Sequence, residues 1–164
     1  MSMIGEYFRL DPQDLDKALA DPGWAERLIE ELYDAEDRGE TRDSRLFDID
    51  KAWHGIAFAL ERADVDTAVI YGDAQVPGAG DWGYGPPSSL TPGRVRELAG
   101  KLNELDPKTI VRAVPRKEFT ASDIYPATGW DDEDLDYLAH WLEKLITFYG
   151  QAADAEMGML VWLD

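Results

Sequence analysis

The chain has 164 residues, no cysteine, and 34 acidic against 16 basic side chains, a formal charge of −18. The length suits one domain with a real core, and a hydrophobic content of 45% excludes a disordered acidic tail. Without cysteine there are no disulfides, thiolate metal sites or thiol nucleophiles, and the charge disfavours nucleic acid and anionic membranes as partners.

Helix starts are written along the chain as an N-cap residue followed by proline. Asp11-Pro12, Asp21-Pro22, Thr91-Pro92 and Asp106-Pro107 each place a capping oxygen before a residue suited to the first helical position. Before the first of them, Ile4 to Leu10 alternates loosely and predicts a strand. Leu15, Ala18 and Leu19 then predict a short helix. Trp24, Leu28, Leu32 and Ala35 predict a second helix, which Gly39 ends. Asp50 is expected to cap a helix that turns Trp53, Ile56, Ala57 and Leu60 inward. Thr67 to Tyr71 is a candidate strand, with continuation of that helix as the alternative. From Gly72 to Pro87 the density of glycine and proline predicts an irregular loop, kept ordered by Trp82 and Tyr84 and placed to cover a cleft.

Beyond the loop, Val95, Leu98, Ala99, Leu102 and Leu105 give a clear apolar stripe, and Ile110, Val111 and Val114 give one or two turns before Pro115. The longest helix is expected from about Asp132 to Ala153, with Leu135, Leu138, Leu142, Leu145, Tyr149 and Ala152 inward. Its first turn holds Asp131 to Asp134, where negative charge meets the positive end of the helix dipole. Gly158 to Leu163 predicts a closing strand able to pair with Ile4–Leu10. The expectation is a single α+β domain over 1–164, rich in helix, with a small, mainly antiparallel sheet that includes both chain ends.

Familiar chemical motifs fail on context. Gly78-Ala79-Gly80-Asp81-Trp82-Gly83 matches G-x-G-x-x-G, but Pro77 precedes it and Pro86-Pro87 follow, so no helix N-terminus meets a pyrophosphate. Two histidines, His54 and His140, supply no zinc motif, and no serine sits in a nucleophile elbow. No cofactor and no metal are expected. Asp50 and His54, four residues apart, are the candidate acid–base pair, although an N-cap role would account for Asp50 without catalysis. Asp48, Trp53, His54, Trp82, Tyr84, Tyr125 and Trp130 are candidate contacts for a ligand or partner, because amphipathic rings in turns often line pockets. Arg94 lies in a basic stretch, seven bases against three acids over 94–117. It could hold an anionic group, and pairing with the chain's own acids is the alternative.

Several blocks occur together and in order: Met3-Ile4-Gly5-Glu6-Tyr7, Asp48-Ile49-Asp50-Lys51-Ala52-Trp53-His54, Tyr84-Gly85 leading to Leu90-Thr91-Pro92, Ile124-Tyr125-Pro126 with Trp130, Phe148-Tyr149, and Gly158 to Leu163. In these the chain resembles the YfbM-like family of small bacterial proteins, a domain of unknown function, over nearly its whole length. The resemblance implies a compact α+β fold and carries over no activity and no functional residues.

Two functional readings follow. One is a non-enzymatic binding protein, with an inhibitor or immunity type as one version, whose acidic surface meets a basic protein. The other is an enzyme or small-ligand protein with a cleft between Asp48–His54 and the Gly72–Pro87 loop. The start lacks the basic and apolar regions of a signal peptide, and no window nears the roughly 18 apolar residues of a membrane span, so a cytoplasmic location is expected. Oligomeric state is unreadable from these patterns.

Overall fold

A computed structural model describes residues 2–126 and 129–164. Its centre is a five-stranded antiparallel sheet in the order β2-β1-β5-β4-β3. The strands are β1 (Gly5–Leu10), β2 (Leu46–Asp48), β3 (Ala74–Gln75), β4 (Ser88–Leu90) and β5 (Gly158–Leu163). The first and last strands pair along their whole length, Gly5 opposite Leu163 through Leu10 opposite Gly158. The expected α+β architecture, with both chain ends in the sheet, is what is observed.

Alternation along the strands sends side chains to two cores, so the sheet is covered on both faces. Phe8, Leu10, Leu46, Leu160 and Trp162 face α1 (Pro12–Ala20) and α2 (Pro22–Asp37), meeting Leu15, Ala18, Ala25 and Ile29. Tyr7, Met159 and Val161 face the larger core, built by α3 (Trp53–Arg62), α4 (Ala68–Tyr71), α5 (Pro92–Leu102), α6 (Pro107–Arg112), α7 (Arg116–Ala121) and α8 (Asp132–Asp154). Helix α8 is the spine of this layer, with α5 and α6 lying against it.

Most expected caps form. Asp11, Asp21 and Thr91 accept the backbone N–H three residues on, from Asp14, Trp24 and Arg94. Asp131 and Asp134 form a reciprocal capping box at the start of α8. Asp106 differs: its carboxylate accepts the Thr109 hydroxyl at 2.8 Å instead of a backbone N–H.

Three expectations require correction. Thr67–Tyr71 contains the one-turn helix α4, not a strand, because Ala68, Val69 and Ile70 are all buried in succession and a half-covered strand would expose alternate residues. The Val69 carbonyl then accepts two buried hydroxyls, from Tyr7 at 3.0 Å and Tyr149 at 2.7 Å, which ties α4 to the sheet and to α8. The Gly72–Pro87 loop holds a two-residue strand, β3, paired with Ser88–Ser89 of β4. Asp50 is not the cap of α3. It sits at φ 49° as the first residue of a 3-10 turn, Asp50–Ala52, that leads into the helix.

Close packing against β5 gives a direct test. A Cβ built at Gly158 lies 2.6 Å from Leu15 Cδ2 and 2.7 Å from the Leu90 carbonyl, whereas one at Gly150, inside α8, meets nothing within 4 Å. Gly158→Ala is expected to cost about 1–3 kcal/mol through overpacking. Gly150→Ala should be neutral or stabilise by up to about 1 kcal/mol, since it removes backbone freedom from the unfolded chain. Urea unfolding midpoints of the two variants check this, and equal midpoints would contradict the packing described.

Candidate functional site

The sequence candidates fall into three separate neighbourhoods. Trp53, His54 and Tyr125 come together at the start of α3. The backbone N–H of Tyr125 donates to His54 Nδ1 at 2.9 Å, the His54 and Trp53 rings stack at 4.9 Å, and Tyr125 stacks on Trp53 at 5.9 Å. The Trp53 indole donates to the Met3 carbonyl, and the Met3 N–H donates to the Tyr125 hydroxyl, both at 3.0 Å. The three side chains thus clamp the segment preceding β1. An imidazole that accepts at Nδ1 is neutral and carries its proton on Nε2, and burial pushes His54 below the usual histidine range in the same sense. A cavity of about 260 Å³ beside it is lined by Glu61, Thr67 and Tyr71 among others.

The acid–base pair does not form. The Asp50 carboxylate accepts the Tyr137 hydroxyl at 2.9 Å, while His54 is engaged by Tyr125. Asp48 accepts the Asp50 N–H at 3.0 Å and pairs with Arg42 at 2.8 Å, so both acids hold the entry to α3. Arg94 is not free for an anionic ligand. It is ringed by Asp66, by Asp73 at 3.0 Å and by Glu97 at 3.2 Å, and these carboxylates raise its pKa further. Trp130 packs on Phe119 at 4.8 Å and over Gly55, as core. Among the cavities described, none joins the Asp48–His54 block to the Gly72–Pro87 loop.

Trp82 and Tyr84 belong elsewhere, to a turn stitched onto the end of β5. Asp81 accepts the N–H groups of Gly83 and Gly85, both at 2.9 Å, and the Tyr84 N–H donates to the Leu163 carbonyl at 2.9 Å. Gly83 has φ 143°, and a Cβ there would lie 2.6 Å from the Leu163 carbonyl oxygen, so only glycine lets the turn come this close. Trp82 is thereby set edge-on to Trp162 at 5.3 Å. Tyr84 stays exposed and lines none of the cavities described.

Beside these two indoles opens a cleft of about 300 Å³ that sequence reasoning missed. Helix α2 contributes Glu26, Ile29, Glu30 and Tyr33, and Asp81 and Asp164 complete an acidic rim with no basic side chain in the lining. The key residue is Glu6, which stands in cross-strand register with Asp48 on one side and Trp162 on the other. Its exposure is 9%, and its Oε2 accepts the Tyr33 hydroxyl at 2.7 Å. Burial, reinforced by the charges of Asp48 and Asp164 and opposed by the Tyr33 hydrogen bond and Arg42, pushes its pKa up to about 7. The signal was present in the sequence: period-two alternation puts Glu6 on the same strand face as Phe8 and Leu10, a carboxyl where an apolar residue is expected.

No group of three or more His, Asp or Glu among the described residues is arranged to hold a metal ion. No described helix is long and apolar enough to cross a membrane.

A sheet whose strands from the two chain ends lie side by side, with a helical hairpin on one face and an α8-centred helical layer on the other, defines the class: a small, helix-rich α+β domain whose described strands form one sheet. The chain belongs to the family described as Domain of unknown function (DUF1877), whose model matches residues 1–162. A solved structure, that of the protein of unknown function YfbM from Escherichia coli, superposes with a TM-score of 0.70 at 18% identity, covering 98% of this chain and 99% of that one, which is a likeness of fold. No curated protein matches the chain.

The raised Glu6 pKa has a definite consequence for stability. A carboxyl that holds its proton more tightly when folded favours the folded state below its unfolded value of 4.5 and loses that advantage as pH rises through about 7. Glu6→Gln keeps an acceptor for Tyr33 without the charge. Relative to wild type, it is expected to gain on the order of 3 kcal/mol above neutral pH and little below pH 5. Denaturant unfolding of both proteins across this range measures the difference. A constant offset would remove the assignment of a buried, proton-retaining carboxyl.

Proposed function

We propose that the protein is a non-enzymatic binding protein for a basic protein partner, in the manner of an inhibitor or immunity protein. The observation that carries this reading is the acidic, aromatic-walled cleft whose Tyr33 donates to Glu6, the place where carboxylates and large rings converge with no basic side chain in the lining. The wider charge distribution supports it. Much of the basic stretch is spent internally, Arg94 on three carboxylates, Arg112 on Asp136 and Arg116 on Asp132, which leaves the acidic surplus directed outward. A surface of one sign steers an oppositely charged partner and speeds its association, an effect that salt suppresses.

The enzyme reading gains little support from this arrangement, since Asp50 and His54 are engaged by different partners and share no hydrogen bond.

The test is affinity capture from a lysate of the source cells with wild type and a Glu26→Gln/Glu30→Gln/Asp81→Asn variant, followed by purification of what is retained. The expected result is a basic protein whose association rate drops at least ~10-fold from low to high salt and is slower for the variant. Retention of nothing basic, or of the same proteins equally by the variant and at high salt, would overturn the reading.

A further inference from the structure

Resting on the partner reading above, we propose that the cleft between α2, the Asp81–Gly83 turn and the end of β5 receives the cationic head of a single lysine or arginine side chain of that partner. Its walls combine the two features that recognise an organic cation. Trp82, Trp162 and Tyr33 supply aromatic rings, and Glu26, Glu30 and Asp81 supply carboxylates from two separate elements. A volume of about 300 Å³ stands at the lower end of ligand sites, which suits one side chain better than an extended segment.

The chain's own cations mark the difference between this place and the rest of the molecule. In the same helical layer Lys17 Nζ sits 4.1 Å over the Trp24 ring, and Arg45 lies 5.3 Å from the Phe8 ring. Arg9 and Arg62 cover Phe148 and Phe58 in the same way. Among the described residues no lysine or arginine of the chain lies over Trp82, Trp162 or Tyr33, although Glu26, Glu30, Asp81 and Asp164 line the same cleft. Glu6, nine-tenths buried, stands opposite Trp162 on the neighbouring strand and accepts the Tyr33 hydroxyl at Oε2. A cation in the cleft adds a favourable charge to a group held between Tyr33, Asp48, Asp164 and the single counter-charge of Arg42.

Other occupants fit less well. An anion would face the carboxylates and gain no basic partner. A hard metal ion needs oxygen ligands converging from several directions, and no such group exists among the described residues. A second copy of this chain brings a charge of −18 against the same sign.

The probe is Nα-acetyl-lysine methylamide, with the Nα-acetyl-arginine methylamide run beside it and the uncharged Nα,Nε-diacetyl-lysine methylamide as control. Backbone and indole N–H signals of the 15N-labelled protein report on all six Trp at once. The expected result is a saturable shift of the Trp82 and Trp162 indoles with the charged probes, no comparable shift of Trp130 or Trp53, and no saturation with the neutral control. Glu26→Gln/Glu30→Gln, changed only on the rim of a surface helix, should weaken binding at least ~3-fold, and Trp82→Leu should abolish the Trp162 response. Unshifted Trp82 and Trp162 indoles, or equal shifts with the neutral control, overturn the inference. If the probes fail while a basic partner is still retained in a salt-dependent way, the inference falls and the partner reading stands. If the probes bind and no basic protein is retained, the partner reading falls, and the cleft is instead a site for a free small amine.

Discussion

The antiparallel pairing of β1 with β5 is the contact on which the rest of the structure depends. It joins residues at opposite ends of the sequence over six consecutive positions, and the strands from the two ends become the centre of the sheet. Its loop spans nearly the whole chain, so its closure is entropically unfavourable and must be offset by what the two strands bury. They bury a great deal: Tyr7, Phe8, Leu10, Met159, Leu160 and Val161 are all 3% exposed or less, shared between the two faces. Both helical layers are organised on these strands, and so is the cleft. Glu6 comes from one strand and Trp162 from the other, directly opposite each other.

That arrangement explains why a carboxyl can persist inside the fold. A buried ionised carboxylate without a partner is unfavourable by several kcal/mol, and proteins commonly respond by retaining the proton or adding donors. Glu6 shows both responses: a pKa raised to about 7 and a hydrogen bond from Tyr33. Its neighbours intensify the strain, because Asp48 and Asp164 share its sign and Arg42 is divided between Asp48 and Glu36. Phe8 and Leu10 on the same strand face are apolar and buried, so the carboxyl at position 6 departs from the pattern of its own strand. In the proposed reading, this local excess of negative charge serves recognition of a cation.

Much of the fold was legible in the sequence because its determinants are local. Asp11, Asp21 and Thr91 each sit before a periodic apolar run, and each caps its helix as the spacing implies. What was illegible depends on distant partners. The strands β2, β3 and β4 are two or three residues long, too short for alternation to register, and they exist because longer strands or each other lie alongside. Residues 67–71 carry strand-forming side chains, yet the burial of Ala68, Val69 and Ile70 in succession goes with a helical turn. Asp50 has the identity of an N-cap but spends its carboxylate on Tyr137, 87 positions away. The site divides in the same way. Trp82 lies in an ordered turn as its loop position implies, and Trp53, His54 and Tyr125 converge. The residues that line the cleft with Trp82, among them Tyr33 of α2 and Trp162 of β5, come from separate elements that only the fold brings together.

In the proposed reading, a cation drawn to the rim carboxylates Glu26, Glu30 and Asp81 also favours the ionised form of Glu6. A 13C titration of the Glu6 side-chain carboxyl, with and without saturating Nα-acetyl-lysine methylamide, measures this directly. The expected midpoint is near 7 in the free protein, moved downward when the cation is bound. A midpoint at the ordinary value of 4.5, or one that the cation leaves unmoved, would contradict it.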